Sequence, residues 1–229
     1  MASVPDSLID PPRVTSVNPS QDLNGVRTEV LTESASNAAP PVLLIDPPQG
    51  QWTIEQWAGL DREQAVCELV DGCLEPLSMP TNFHLKIQNR LLALLWRHPG
   101  LIERASAAGT KLRVGSRTGR IPDLVVARDV LPDDREESLD AAAVLLVVEV
   151  ISPGRRQRDR DLREKREDYA AAGIDEYWIV DPDALTLLQL RLEGEAYAEV
   201  GTFSGGDRVT TPLVEGLVVP VDDVIGSAA

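Results

Sequence analysis

The sequence is poor in the residues that build closed metal sites and covalent cross-links: its 229 residues include two cysteines and two histidines. A structural zinc site of four Cys and His ligands would need Cys67, Cys73, His84 and His98 together, at spacings that match no zinc pattern. If Asp71-Gly72 forms a two-residue hairpin turn, Val70 sits opposite Cys73 and Cys67 opposite Pro76. The thiols then do not face each other, and both are expected to be reduced. Also missing are a Gly-x-x-x-x-Gly-Lys-Ser/Thr phosphate loop, a Gly-x-Gly-x-x-Gly turn and a Gly-x-Ser-x-Gly nucleophile elbow, which removes nucleotide-driven and serine-hydrolase chemistry. No apolar run approaches the roughly 20 residues that span a bilayer. The first thirty residues lack a basic start followed by an apolar stretch, so no membrane attachment and a cytoplasmic location are expected.

Positive charge is scarce as well. Against 37 acidic residues stand 22 basic ones, a net charge of −15, which argues against a protein that coats nucleic acid by bulk charge. The deficit is uneven, because the stretch from Arg155 to Arg166 holds seven basic residues and three acids. A polyanion would be met there.

Composition divides the chain in two. Residues 1–48 hold 8 of the 17 prolines and no aromatic residue, too little apolar surface to offset the entropy of ordering. They are expected to form a flexible extension, and residues 49–229 a folded domain. Thr53-Ile54-Glu55-Gln56 reads as an N-cap and capping box opening a short helix through about Leu60. Ala65–Val70, Asp71-Gly72 and Cys73–Ser78 form the strongest hairpin signal. Apolar residues at 83, 87, 91, 94 and 95 predict a long helix over Asn82–Arg97, stopped by Pro99-Gly100. Thr110–Val114 and Ile121–Arg128 read as strands, Leu131–Ser138 as an acidic loop, and Val144–Ile151 as a strand buried on both faces. Asp161 with Glu164 resembles a second capping box, opening a helix that ends at Gly173; strands follow at Glu176–Val180, Leu185–Leu192 and Ala196–Phe203. The pattern is that of an α/β protein with a mixed central β-sheet flanked by helices.

The chemistry lies in carboxylates placed where burial makes them costly. Glu149 interrupts the run Val144–Ile151, where an unpaired charge costs several kcal/mol unless it is compensated or neutralised. Asp123 follows Pro122 at the entry of the apolar strand Leu124–Ala127. Two carboxylates on neighbouring strands make a hard oxygen site of the kind that Mg²⁺ or Mn²⁺ prefers. The hairpin register puts Glu68 across from Glu75, two like charges that need either a cation or a wet face between them. His98 reads as a loop residue, and Tyr177 and Trp178 as core of a central strand.

In order along the chain, Glu68-Leu69-Val70-Asp71-Gly72, His84, Gly119-Arg120-Ile121-Pro122-Asp123, Val148-Glu149-Val150-Ile151-Ser152-Pro153, Asp161 with Lys165 and Tyr169, and Gly173-Ile174-Asp175-Glu176-Tyr177-Trp178-Ile179-Val180-Asp181-Pro182 form a motif string. It resembles the Uma-two family of restriction endonuclease-like proteins, a branch of the PD-(D/E)xK nuclease superfamily, over about residues 52–225. The resemblance implies a restriction endonuclease-like core and a metal site made by Asp123 and Glu149 with Glu68 contributing from the first segment. It also implies a catalytic lysine. The superfamily's commonest place for that lysine is Ile151 here, and the Uma-like branch moves it to the following helix, at Lys165. Taken alone, Lys165 reads as an exposed residue of an Arg-rich helix, and His84, which matches a helix-start histidine of the family, as a cap or packing residue.

On this basis the expected activity is Mg²⁺- or Mn²⁺-dependent hydrolysis of phosphodiester bonds in nucleic acid, DNA foremost, by an endonuclease that forms a homodimer. Arg155, Arg156, Arg158 and Arg160, in the loop after Glu149, would meet backbone phosphates at the rim. The competing reading is a non-catalytic nucleic-acid-binding or regulatory dimer that keeps the fold; a dimer interface on the strands around Leu213–Val224 is compatible with either.

Overall fold

The computed structural model describes residues 17–18, 29–31, 43–44, 47–60, 66–107, 109–132 and 138–226. The chain divides into two units, Met1–Gln49 and Gly50–Ala229. In the first, strands β1 (Val17–Asn18), β2 (Glu29–Leu31) and β3 (Leu43–Leu44) pair antiparallel in sequence order. The remainder of the expected extension, through residue 46, lies outside the described residues, as does most of the acidic loop, at 133–137.

The second unit opens with α1 (Ile54–Ala58), where Thr53 Oγ1 accepts the Gln56 N–H and Gln56 Oε1 accepts the Thr53 N–H. The hairpin of β4 (Cys67–Val70) and β5 (Cys73–Pro76) turns on Asp71 (φ 50°) and Gly72 (φ 80°). Both central residues are left-handed, as the favoured two-residue turn requires, and the register is the expected one, with Glu68 opposite Glu75. β7 (Leu112–Arg113), β8 (Gly119–Arg120) and β10 (Leu139–Asp140) complete a sheet of order β10-β7-β8-β4-β5.

A larger sheet runs β14-β13-β12-β11-β9-β6, built from β6 (Ala105–Ala107), β9 (Leu124–Ala127), β11 (Val144–Val150), β12 (Glu176–Asp181), β13 (Thr186–Glu193) and β14 (Ala196–Phe203). β11 and β12 are parallel and the other pairings antiparallel, so the sheet is mixed. All seven residues of β11 are buried, the result of covering both faces. Leu146, Val148 and Val150 pack with Ile87, Leu91 and Leu95 of α2 (Asn82–Trp96). On the opposite face Val147 and Ile151 pack with Tyr169 and Ala170 of α4 (Lys165–Ala171). Because a strand alternates faces, Glu149 shares the α4 side with Val147 and Ile151. The small pair β15 (Arg208–Thr210) and β16 (Val218–Pro220) and helix α5 (Val221–Ile225) complete the α2 side.

Two expectations are corrected. The helix assigned to start at Asp161 begins six residues earlier, as α3 (Arg155–Asp159), entered through Gly154 at φ 120°. It continues through a π-helical turn, Arg160–Glu164, into α4. Arg155, Arg156, Arg158 and Arg160 therefore lie on a helix rather than in a loop. In place of strands throughout Leu213–Val224, the structure has one strand, β16, followed by α5.

Candidate active site

Asp123 is clamped between the start of α2 and the end of β11. Thr81 Oγ1 accepts the His84 N–H at 3.2 Å and fixes the first turn of α2. His84, Ile87, Gln88 and Leu91 then share one stripe of that helix, all buried. His84 Nε2 lies 2.8 Å from Asp123 Oδ1, and Gln88 Nε2 donates to the Asp123 carbonyl at 2.6 Å. From the other side the Val150 N–H donates to Asp123 Oδ2 at 2.7 Å, which sets this carboxylate beside the residue that follows Glu149. Ser152 Oγ is 3.4 Å from His84 Nδ1.

Glu149 takes two hydrogen bonds on the same oxygen: Lys165 Nζ donates to Oε1 at 2.7 Å and Tyr169 Oη at 2.8 Å. Burial raises its carboxyl well above the ordinary value, and the neighbouring Asp123, Asp161 and Glu68 add to the rise while Lys165 opposes it. Burial alone would lower the Lys165 ammonium, but Glu149, Glu68 and Asp161 around it raise it instead. Lys165 is 2 % exposed, not the solvated lysine its Arg-rich surroundings suggest.

Glu68 is fully buried and each of its oxygens is already held. Arg120 Nη1 donates to Oε2 at 3.0 Å and the Ile121 N–H to Oε1 at 3.1 Å, with Lys165 Nζ at 3.3 Å. Burial would raise its carboxyl, but Lys165 and Arg120 outweigh that and hold it at about 2. The wet face allowed for by the Glu68–Glu75 register is thus dry on the Glu68 side, its charge met by cations. Arg120 is fixed in turn by Asp168, which accepts from Nε at 2.8 Å and Nη2 at 2.6 Å.

Asp161 points into the same place from the π turn. In an α-helix the Lys165 N–H would bond the Asp161 carbonyl; here it bonds that of Arg160, one residue further back, and the Asp161 carbonyl accepts the Tyr177 hydroxyl at 2.8 Å. The Asp161 side chain is 3 % exposed and stands 3.6 Å from both Lys165 Nζ and Arg160 Nε. Its Oδ1, like Arg160 Nε, has no hydrogen-bond partner among the described residues.

These side chains line one cleft of about 190 Å³ whose wall includes His84, Asp123, Glu149, Arg160, Asp161 and Lys165, with an apolar lip of Val66, Leu77, Met79, Pro80 and Leu85. Glu68 is not part of the lining: its oxygens are used behind it. Along the rim Arg155 is exposed, Arg156 is 86 % exposed and 3.8 Å from Glu75, and Arg158 is paired to Asp181 at 2.5 Å. Tyr177 and Trp178 are fully buried in β12, as expected, and His98 precedes a short turn with Nε2 3.0 Å from the Glu215 carbonyl. Reading the sequence alone missed Arg120 and Asp168, which neutralise and anchor Glu68, and the inward turn of Asp161. Gly119-Arg120, inside the motif string, was the available signal for the first of these.

The donor set suits a hard divalent cation. Asp123 and Glu149 supply carboxylate oxygens from adjacent elements, and Asp161, whose Oδ1 takes no hydrogen bond among the described residues, lines the same space. Among the described residues no group of three or more His, Cys, Asp or Glu side chains is placed to hold a metal ion, so no all-protein cage is present there. Mg²⁺ is commonly bound by one or two carboxylates plus substrate phosphates and its own waters rather than by such a cage.

The mixed sheet flanked by helices, with Glu149 on its central strand, Asp123 at the entry of the next and Lys165 on a covering helix all lining one cleft, has a restriction endonuclease-like fold. Residues 53–222 match the Uma2 family, described as "Putative restriction endonuclease". The chain belongs to that family. A solved structure, "a putative nuclease belonging to DUF820" from Anabaena variabilis, shares the fold, with a TM-score of 0.59 and 18 % identity over 76 % of this chain and 97 % of that one. No curated protein matches the chain. Among the described residues no helix is long and apolar enough to cross a membrane.

Proposed function

We propose that the protein is a divalent-metal-dependent endonuclease that hydrolyses phosphodiester bonds of DNA. The observation that carries this reading is the convergence of Asp123, Glu149 and Lys165, residues from β9's entry, β11 and α4, on one cleft. Asp123 and Glu149 would hold Mg²⁺ or Mn²⁺, which supplies Lewis acidity and offsets charge on a phosphodiester. His84 and the Val150 N–H orient Asp123. Lys165, kept protonated by its carboxylate neighbours, stands ready to offset the negative charge that develops at phosphorus. Glu68 acts as a positioning residue, holding Lys165 and Arg120 rather than reaching the cleft. Arg155 and Arg156, exposed on α3, meet backbone phosphates; Arg158 is engaged with Asp181 and Arg160 lines the cleft. A homodimer, and a location in the cytoplasm, are consistent with this reading.

The test is incubation of the full chain with supercoiled plasmid, linear oligonucleotide and RNA in Mg²⁺ and in Mn²⁺, beside Asp123→Ala and Glu149→Gln. Metal-dependent nicking by the unsubstituted protein alone is the expected result. Equal nicking by all three proteins marks a contaminant, and salt-sensitive binding with no cleavage points to the non-catalytic binder.

A further inference from the structure

The resemblance to nuclease sequences assigns the third acidic residue of the metal site to Glu68. The structure gives that carboxylate other work: it is fully buried, absent from the cleft wall, and bonded to Arg120, Ile121 and Lys165. Asp161 has the opposite character. It lines the cleft beside Asp123 and Glu149, its side chain is 3 % exposed, and its Oδ1 has no hydrogen-bond partner among the described residues. Buried carboxylate oxygens are rarely left so, and each such atom calls for a ligand or water that the protein alone does not provide.

The backbone explains how the oxygen comes to be there. The π turn at Arg160–Glu164 takes the Lys165 N–H to Arg160, and Tyr177, reaching across from β12, takes the carbonyl that this frees on Asp161. Single π turns inside helices occur frequently at functional sites, because the ladder gives up regularity to aim a side chain. Here Asp161 and Lys165 both face the cleft while the helix goes on to place Tyr169 on Glu149. Lys165 Nζ and Arg160 Nε stand 3.6 Å from this oxygen and offset its charge, yet neither hydrogen-bonds it.

We propose that Asp161, rather than Glu68, is the third acidic residue facing the cation. This rests on the metal-dependent reading above and deepens it. Contact is through water, since Mg²⁺ keeps several of its own waters and no three acidic side chains among the described residues are placed to hold a metal ion directly.

The experiment is titration of the full chain with Mn²⁺, followed by the electron paramagnetic resonance signal of free metal, with thermal unfolding measured on the same samples. Asp161→Asn is expected to raise the Mn²⁺ Kd about tenfold, in the range found for residues just outside the ligands, while Tm stays level or rises. Asp161→Ser is expected to do the same. Glu68→Gln is expected to lower Tm and to change the Kd less. Wild-type affinity in both Asp161 variants overturns this inference and leaves the cation site at Asp123 and Glu149 standing. A fall in Tm for Asp161→Asn as large as that for Glu68→Gln makes Asp161 a structural residue and also overturns it. Absence of Mn²⁺ binding by the unsubstituted protein overturns the inference together with the metal-dependent reading.

Discussion

Replacing Lys165 by Met removes the one ammonium that three buried carboxylates share. Nζ lies 2.7 Å from Glu149 Oε1, 3.3 Å from Glu68 Oε1 and 3.6 Å from Asp161 Oδ1, and the side chain is 2 % exposed, so water cannot replace it cheaply. Breaking a buried ion pair by deleting one partner costs about 3–5 kcal/mol, because the other charge stays behind. For a folded unit of this size that corresponds to a Tm lower by roughly 10 °C. The loss depends on pH with a definite sign. Without the ammonium the folded-state pKa of each carboxyl rises, and for Glu149 and Asp161, already raised by burial, stability is lost as pH climbs from the unfolded value through the folded one. Glu149, already pushed up to about 8, is largely neutral at pH 5 and ionised at pH 9. The Glu68 share of the Lys165→Met deficit is therefore already present near pH 5, and the Glu149 share should add to it as pH climbs to 9. Scanning calorimetry of both proteins across that range measures it, and the plasmid assay should show nicking lost at every pH. A deficit under about 2 °C at pH 9, or one that does not vary with pH, would refute the claim that this lysine holds the carboxylates together.

Glu68 gives the mirror-image test. Its carboxyl is held at about 2 against an ordinary 4.5, so it contributes roughly 3 kcal/mol of stability that is present above pH 4.5 and lost as pH falls toward 2. In Glu68→Gln the acid limb of a urea-midpoint-against-pH curve should flatten, and an unchanged limb would exclude Glu68 as its source. Gly119→Ala should destabilise by about 1–3 kcal/mol or more, because a Cβ there would stand only 2.2 Å from Cζ3 of the Trp57 ring; chemical denaturation with wild-type stability would contradict the packing. Arg156→Ala should weaken DNA binding alike on all sequences and reduce the slope of log K against log salt by about 1, read by fluorescence anisotropy.

Much of the fold could be read in the sequence because it is written in local signals. The apolar run Val144–Val150 reports a strand covered on both faces, Asp71-Gly72 reports a left-handed two-residue turn, and the spacing of Ile87, Leu91 and Leu95 reports the buried stripe of α2. Glu149 and Asp123 also stand out in the sequence, as a charge within and a charge at the entry of strands built for burial, whereas Lys165 is singled out only by the family resemblance. The start of α3 could not, since Arg155–Asp159 buries no residue and offers no apolar period to detect. Nor could the fate of Glu68, whose partner Arg120 lies 52 residues away on a two-residue strand.

The Asp161–Glu164 pair shows most clearly why spacing can mislead. An acid three residues before a glutamate has the form of a helix start, and Asp161, Lys165 and Tyr169 recur every four residues as one helical face would. The face is real and the start is not. What separates the two is a backbone event, the bond from the Lys165 N–H to the Arg160 carbonyl, and it is supported by Tyr177, a hydroxyl sixteen residues on in a strand whose side chains otherwise read as core. Such an insertion leaves no mark in composition or period, because it is stabilised by tertiary contact rather than local propensity. It follows that the carboxylates in this cleft are of two kinds. Glu68 is satisfied and could be recognised as structural only from its partners, whereas Asp161, with two cations 3.6 Å away, has no hydrogen bond on Oδ1 among the described residues, at the position where the helix gives up its regular bonding. The second kind is where a ligand is to be sought.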